Sequence, residues 1–524
     1  MSAVRRVVSG SLASWMRIAV TIFSQIIAVP VYLHYWSIET YGAWILVHST
    51  VTFLTIFDVA HHNYLGNEFL KIGPQKREEI ARVFSTGVVV AFIVSVVTFL
   101  LIYGLTLFGT LSQSLGIDAG YIQPFKTSLL LTCGTWVFTV TFTGLLGRVL
   151  NPFGYFPLSA WSSVLFAIVS TAASVAAVVM GADLVTATVV TCFVTFVCHV
   201  TLGMVLFRIA RQEKLICGKV YLKEGVVRFF ASLALGFQSG LEILRQQGVR
   251  FILLPLSGMA QMIAFSTMRT GANLALQGVG TITGPLMPEL MAFLGNRDQP
   301  RTESAFSVIW LMLCVVLVPA VLTVQYVAPV LFPLWTQGKI DFDPVLFALL
   351  SAGVLVYALA QPAIAVVNGN NLLRAQVMIS VVATLVTVGG IYLLVPVNGV
   401  RGAALALLTG EALSLLFYVH TAKKWLAGMS MQWPTPAFVN ASLSLVVASA
   451  GMAAIIVFPA HAGVCLLLAL TGQAVVLIVY WKQLPFIARQ SAKRHAVRLL
   501  PRILRQRLEK KMASAPKSLS SAEL

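Results

Sequence analysis

The stretch SGSLASWMRIAVTIFSQIIAVPVYLHY, residues 9–35, is long and apolar enough to cross a bilayer, yet Arg17 sits inside it. The hydrocarbon core asks for roughly 20 apolar residues. A charge within that core costs about 3 kcal/mol on the mildest insertion scale. Steps of three or four residues from Arg17 collect Ser14, Thr21, Ser24 and Ala28, a small and polar stripe on one helical face. At about 1.5 Å per residue, Arg17 lies roughly 10 Å inside the N-terminal edge of the span. Either the side chain snorkels to the headgroups, or the stripe faces a wet interior.

The whole chain shares this apolar character. Of its 524 residues, 58% are hydrophobic and 10% charged, against roughly 25% charged in soluble domains. Hydropathy predicts an all-α polytopic membrane protein of about fourteen transmembrane helices. The net charge is +18, from 36 Lys and Arg against 18 Asp and Glu. These basic residues flank the spans rather than covering one face, so they read as topology signals and not as a nucleic-acid surface. With the N-terminus inside, the loops KIGPQKREEIAR, RIARQEKLICGKVYLKEGVVR and GNRDQPRTES are cytoplasmic, and so is the basic tail. External loops then keep only Lys126, Lys339 and Arg401, and both termini are cytoplasmic.

No small-residue cleavage site follows the first span, so it is read as a retained helix. The longest external loop, around 109–124, is too short for a catalytic domain, and no enzyme is expected. Cys133, Cys192, Cys198, Cys217, Cys314 and Cys465 fall in apolar spans or a basic loop, a placement that predicts neither disulfides nor a metal site. His61–His62 lacks zinc-motif spacing. In the tail, Leu499, Leu500, Ile503, Leu504 and Leu508 recur at helical spacing among Arg and Lys. That pattern fits an amphipathic helix on the anionic leaflet, or a tail that only fixes topology.

The charges inside the spans define a candidate site. Span 2 (41–66) places His48, Thr52, Thr55 and Asp58 on neighbouring steps. Asp58 either pairs with Arg17 or titrates. In span 7 (226–254), Gln238, Glu242, Arg245 and Gln246 share a face and Arg250 follows. Glu242 and Arg245, three residues apart, can neutralise each other. Span 8 (258–294) carries Ser266, Arg269, Thr270, Asn273, Gln277, Thr281 and Gly284 along one side. Its Gly278, Gly280, Gly284, Pro285 and Pro288 mark where it can bend.

Arg17, Arg245, Arg250 and Arg269 thus face few acids: Asp58, Glu242 and Glu411, with Glu289 near the inner edge. Such a cavity suits an anion, and the arginine fork suits phosphate. Asn273, Gln277 and Gln238 add polar lining. Any proton or sodium linkage should pass through Asp58, Glu242 or Glu411. The first two rank ahead of Glu411, which is read as packing helix 12 against helix 11. No cofactor is expected.

Four stretches carry a family resemblance: YLHYWSIETYGAWILVHSTVTFLTIFD (32–58), RFILLPLSGMAQMIAFSTM (250–268), GPLMPELMAFLGNRD (284–298) and LLVPVNGVRGAALALLTGEAL (393–413). In order and spacing they resemble the Wzx-type polysaccharide flippases of the multidrug/oligosaccharidyl-lipid/polysaccharide (MOP) exporter superfamily, over about residues 1–425. The turns before Tyr41-Gly42 and Gln261-Met262 lie about 220 residues apart, as a duplicated six-helix unit would place them.

The resemblance implies two six-helix bundles around a central cavity, related by a pseudo-two-fold axis along the membrane normal, plus two C-terminal helices. The divisions are 1–215, 216–425, 426–484 and a cytoplasmic tail at 485–524. It also implies that an undecaprenyl-pyrophosphate-linked oligosaccharide is moved across the bacterial inner membrane by alternating access. The glycan would serve O-antigen, exopolysaccharide or capsule synthesis, with Arg17, Arg245, Arg250 and Arg269 contacting the pyrophosphate. Implied partners are membrane lipids, the lipid-linked oligosaccharide and the polymerase and chain-length machinery, with no nucleic acid.

Arg17 occupies a first-helix position where arginine is common in the lipid-linked glycan branch. Two departures bear on ion coupling: Val249 stands where an acid often precedes RFIL, and ISVVATLVTVGG in helix 11 lacks a frequent Asn. A cation-coupled drug antiporter of the same superfamily would need more buried acids. A membrane glycan polymerase or ligase would need a larger external loop.

Overall fold

The computed structural model describes residues 3–107, 117–216, 218–370, 372–485 and 489. The amphipathic helix expected in the tail lies outside the described residues. The first bundle begins with α1 (Ala3–Tyr35), a two-residue turn and α2 (Ile38–Leu54). Ser37 starts α2 by accepting the Thr40 N–H at 3.2 Å, filling one of the donors a helix start leaves open. Thr55 donates its hydroxyl back to Val51 O at 2.8 Å, a habit that bends helices. There the second span breaks by 46° into α3 (Ile56–Ile72).

The bundle continues with α4 (Arg77–Leu107), α5 (Ala119–Thr135), a π turn at Trp136–Val140, α6 (Thr141–Val149), α7 (Phe156–Val179) and α8 (Leu184–Gln212). The second bundle holds α9 (Leu222–Ser257), α10 (Met259–Gly295), α11 (Gln299–Met312), a π turn at Leu313–Leu317, α12 (Val318–Trp335), α13 (Pro344–Gly369), α14 (Leu373–Asn398) and α15 (Val400–Gly428). Two further helices follow, α16 (Thr435–Val457) and α17 (Ala462–Gln483).

Eleven described stretches are long and apolar enough to cross a membrane, and twelve if the bent α2–α3 pair counts as one span. α9 and α10, of 36 and 37 residues, stand outside that count. At about 1.5 Å per residue each reaches roughly 55 Å, and they carry Glu242, Arg245, Arg250 and Arg269. With them, each expected span coincides with helix. Only 11% of the most apolar window of α8 is buried, against 67% in α13. α8 therefore turns its Phe193, Phe196 and Met204 outward, where lipid is the matching solvent, while α13 fills the middle of the second bundle.

α13 and α14 pack on α15, α1 packs on α7, and α5 packs on α2 and α8. α9 is the crossing helix: it lies on α3 and α4 of the first bundle and on α14 of the second. Gly258, at φ 82°, is the single residue joining α9 to α10. The two equivalent turns meet face to face: a Cβ on Gly42 would collide with Met259 Sδ and sit 2.7 Å from Ile263 Cδ1. Lys339 Nζ donates to Trp36 O at 2.8 Å and Trp335 Nε1 to Ile26 O at 2.9 Å, strapping the halves together at this end.

Candidate functional site

Arg245 is buried between two carboxylates. Its Nη2 donates to both oxygens of Glu242, each at 2.8 Å, one turn earlier on α9. Its Nη1 lies 2.6 Å from Glu411 Oε1 on α15. Arg250, farther along α9, donates through Nη1 to Ser49 Oγ (2.6 Å) and Gln247 Oε1 (2.5 Å), and through Nε to Ser266 Oγ (3.2 Å). These contacts tie α9 to α2 and α10 through neutral groups, so they hold the guanidinium without cancelling its charge.

Arg269 is half-buried on α10, its guanidinium carbon 6.0 Å from the Phe265 ring centre, within cation–π range. With Asn273, Tyr357 and Glu411 it lines a cavity of about 140 Å³ among α10, α13 and α15. The other walls, Leu350, Val354 and Leu407 among them, are apolar. An anion there would meet a guanidinium and an amide, groups that form charge-assisted hydrogen bonds.

Arg17 is not part of this cluster. Gln277 Nε2 donates to Gln25 Oε1 at 3.1 Å, which sets α10 and α1 level at that point. Arg17 lies about two turns beyond Gln25 in one direction, and Arg269 about two turns beyond Gln277 in the other. At about 1.5 Å per residue they differ in depth by roughly 24 Å. The Arg17 side chain is exposed, as are Leu12, Trp15 and Met16 beside it. Farther along, α1 meets α10 and α12. The Gln238 side chain lies outside the described residues.

Asp58 does not pair with Arg17 either. It is buried on α3, where Oδ2 accepts from Trp136 Nε1 at 2.8 Å and Thr141 Oγ1 at 3.2 Å. His62 Nε2 is 3.3 Å from Oδ1, one turn along. Nearby, Arg148 donates to Asn63 Oδ1 (2.7 Å) and Gly144 O (3.0 Å). The sequence reading missed Trp136, Thr141 and Arg148. A visible signal was the run Thr132, Thr135, Thr139, Thr141 and Thr143. The π turn, which shifts the register so that Trp136 meets Asp58, left none.

Beside Trp136 a second cavity of about 100 Å³ is lined by Trp44, His48 and several threonines. Thr132, Thr135, Thr188 and Thr191 each donate to a carbonyl one turn back. Their oxygens are therefore left as acceptors. Among the described residues no group of three or more His, Cys, Asp or Glu is arranged to hold a metal ion.

The sequence matches no protein-family model and no curated protein. Solved structures match in fold. An inward-facing multidrug resistance MATE family transporter of the MOP superfamily aligns with TM-score 0.64 at 13% identity, over 82% of this chain and 99% of that one. The lipid II flippase MurJ, inward closed, aligns with TM-score 0.64 at 12% identity, over 90% and 97%. A MOP superfamily transporter from Pyrococcus furiosus, described as having a binding pocket of reversed polarity, aligns with TM-score 0.58 at 14% identity, over 82% and 96%. The chain is thus a multi-pass membrane protein with the fold of MOP superfamily transporters, MATE and MurJ among them.

Proposed function

We propose that this protein is a flippase for an undecaprenyl-pyrophosphate-linked oligosaccharide in the bacterial inner membrane, with both termini cytoplasmic. It would serve O-antigen, exopolysaccharide or capsule synthesis. The observation that carries the reading is the arginine group on α9 and α10. Arg245 and Arg250 stand on α9 and Arg269 on α10, and the acids near them, Glu242 and Glu411, both contact Arg245. Arg269 and Asn273 offer donors to phosphate oxygens, and Arg250 adds positive charge between the bundles. Arg17, exposed nearer the N-terminal end, attracts the headgroup before it reaches them. The match to a lipid II flippase over 90% of this chain supports movement of a lipid by this fold. Proton or sodium linkage runs through Asp58, Glu242 or Glu411.

A cation-coupled drug antiporter is the second reading, favoured by the acceptor-lined cavity beside Trp136 and the buried Asp58. Binding to the purified protein separates the two. A polyprenyl-pyrophosphate-linked oligosaccharide should bind, and the polyprenol without pyrophosphate should not, with Arg269→Ala abolishing the difference. Equal binding of both lipids, or tight binding of cationic drugs lost in Asp58→Asn, would favour the antiporter.

A further inference from the structure

The cavity beside Arg269 holds a carboxylate as well as a guanidinium. Glu411 from α15 and Arg269 from α10 line the same small space. The groups facing Glu411 are Arg245 and Glu242 from α9, Arg269 from α10, Tyr357 from α13 and Tyr418 on α15 itself. Next to it, Gly410 abuts Thr387 and Ala383 of α14, neither of them titratable. The formal charges of Arg245 and Arg269 are therefore balanced by those of Glu242 and Glu411. A pyrophosphate headgroup would enter a site where only Arg250, held at Ser266 a turn from Arg269, brings unbalanced positive charge, and would sit beside a carboxylate. Like charges a few ångströms apart in a low dielectric disfavour joint ionisation.

We propose that Glu411 takes up one proton from buffer acid in the surrounding solution, which is left as its conjugate base, when the anionic headgroup binds beside Arg269. The proposal rests on the anion-site reading above and names the group that makes this site fit an anion. The proton ends on the Glu411 carboxyl, and no other bond changes. Arg245 is not left bare by this, because Glu242 still holds it through both oxygens at 2.8 Å within one helix. The protonated carboxyl also becomes a donor, and pyrophosphate oxygens are acceptors. Glu242 does not line the cavity, and its side chain is 44% exposed. It is the partner that keeps both oxygens on Arg245.

Calorimetry of the purified full chain tests this, using a farnesyl-pyrophosphate-linked monosaccharide as probe. The probe is a diester whose phosphates do not titrate near neutral pH. Titration in two buffers of different ionisation enthalpy counts the protons taken up per headgroup bound. The wild type should take up about one, and Glu411→Gln none. Difference infrared spectra of the wild type, which need no variant, should show a protonated carboxyl band appearing on addition of probe. Binding without proton uptake or without that band overturns the proton linkage alone, as does uptake unchanged in Glu411→Gln. Absence of probe binding by the wild type overturns the anion-site reading and this proposal with it.

Discussion

Replacing Arg245 by Met keeps a long apolar stem and removes the charge between Glu242 and Glu411. The Arg245 and Glu411 side chains are 6% and 12% exposed, so water cannot replace the lost partner. Removing one member of a buried ion pair costs about 3–5 kcal/mol, chiefly from the stranded charge. The Glu242 carboxylate, 44% exposed, is solvated, and such pairs contribute about 0–1 kcal/mol. Arg245→Met should therefore destabilise the protein by about 3 kcal/mol, and adding Glu411→Gln should recover about 2 kcal/mol of that. Adding Glu242→Gln should recover almost nothing. Thermal unfolding of the purified variants, run as a double-mutant cycle, measures both couplings. Wild-type stability in Arg245→Met, or equal rescue by the two Gln substitutions, would refute the reasoning.

Three further outcomes follow from the contacts. Trp136→Phe removes the Nε1–H that Asp58 accepts and should cost about 1–3 kcal/mol, partly restored by Asp58→Asn; melting temperatures check it, and an unchanged one counts against a structural role for that bond. Gly42→Leu drives a side chain into Met259 and Ile263 and should open the Trp36 end, read as faster hydrogen exchange across residues 36–44; unchanged exchange would show that this contact does not close it. Arg17→Lys should keep most export while Arg17→Ala loses much of it, because an exposed side chain acts as a point charge; equal loss in both would assign it a fork-specific contact.

Much of the fold was legible because a bilayer permits few backbone solutions. Span positions follow from apolar run length, whereas the break in span 2 at Thr55 was not read from it. The polar faces of α9 and α10 were legible as helical stripes. Partner choice across helices was not. Arg245 and Glu411 lie far apart in sequence, and only the packing of α9 near α15 shows that Glu411, ranked last of the three acids, bridges to Arg245. The depth of Arg17 was readable, but its exposure was not. Trp136 reaches Asp58 through a π turn, and one extra residue per turn has no composition signature.

The most direct test of the anion-cavity account is export of the lipid-linked glycan in cells carrying Arg269→Ala, normalised to the amount of protein in the membrane. Losing a charge-assisted contact to phosphate costs about 1.5–3 kcal/mol, so export should fall by about tenfold or more. Arg269→Lys should restore it only partly, keeping the charge but losing the two-pronged geometry. Wild-type export from Arg269→Ala at normal membrane levels would contradict the account.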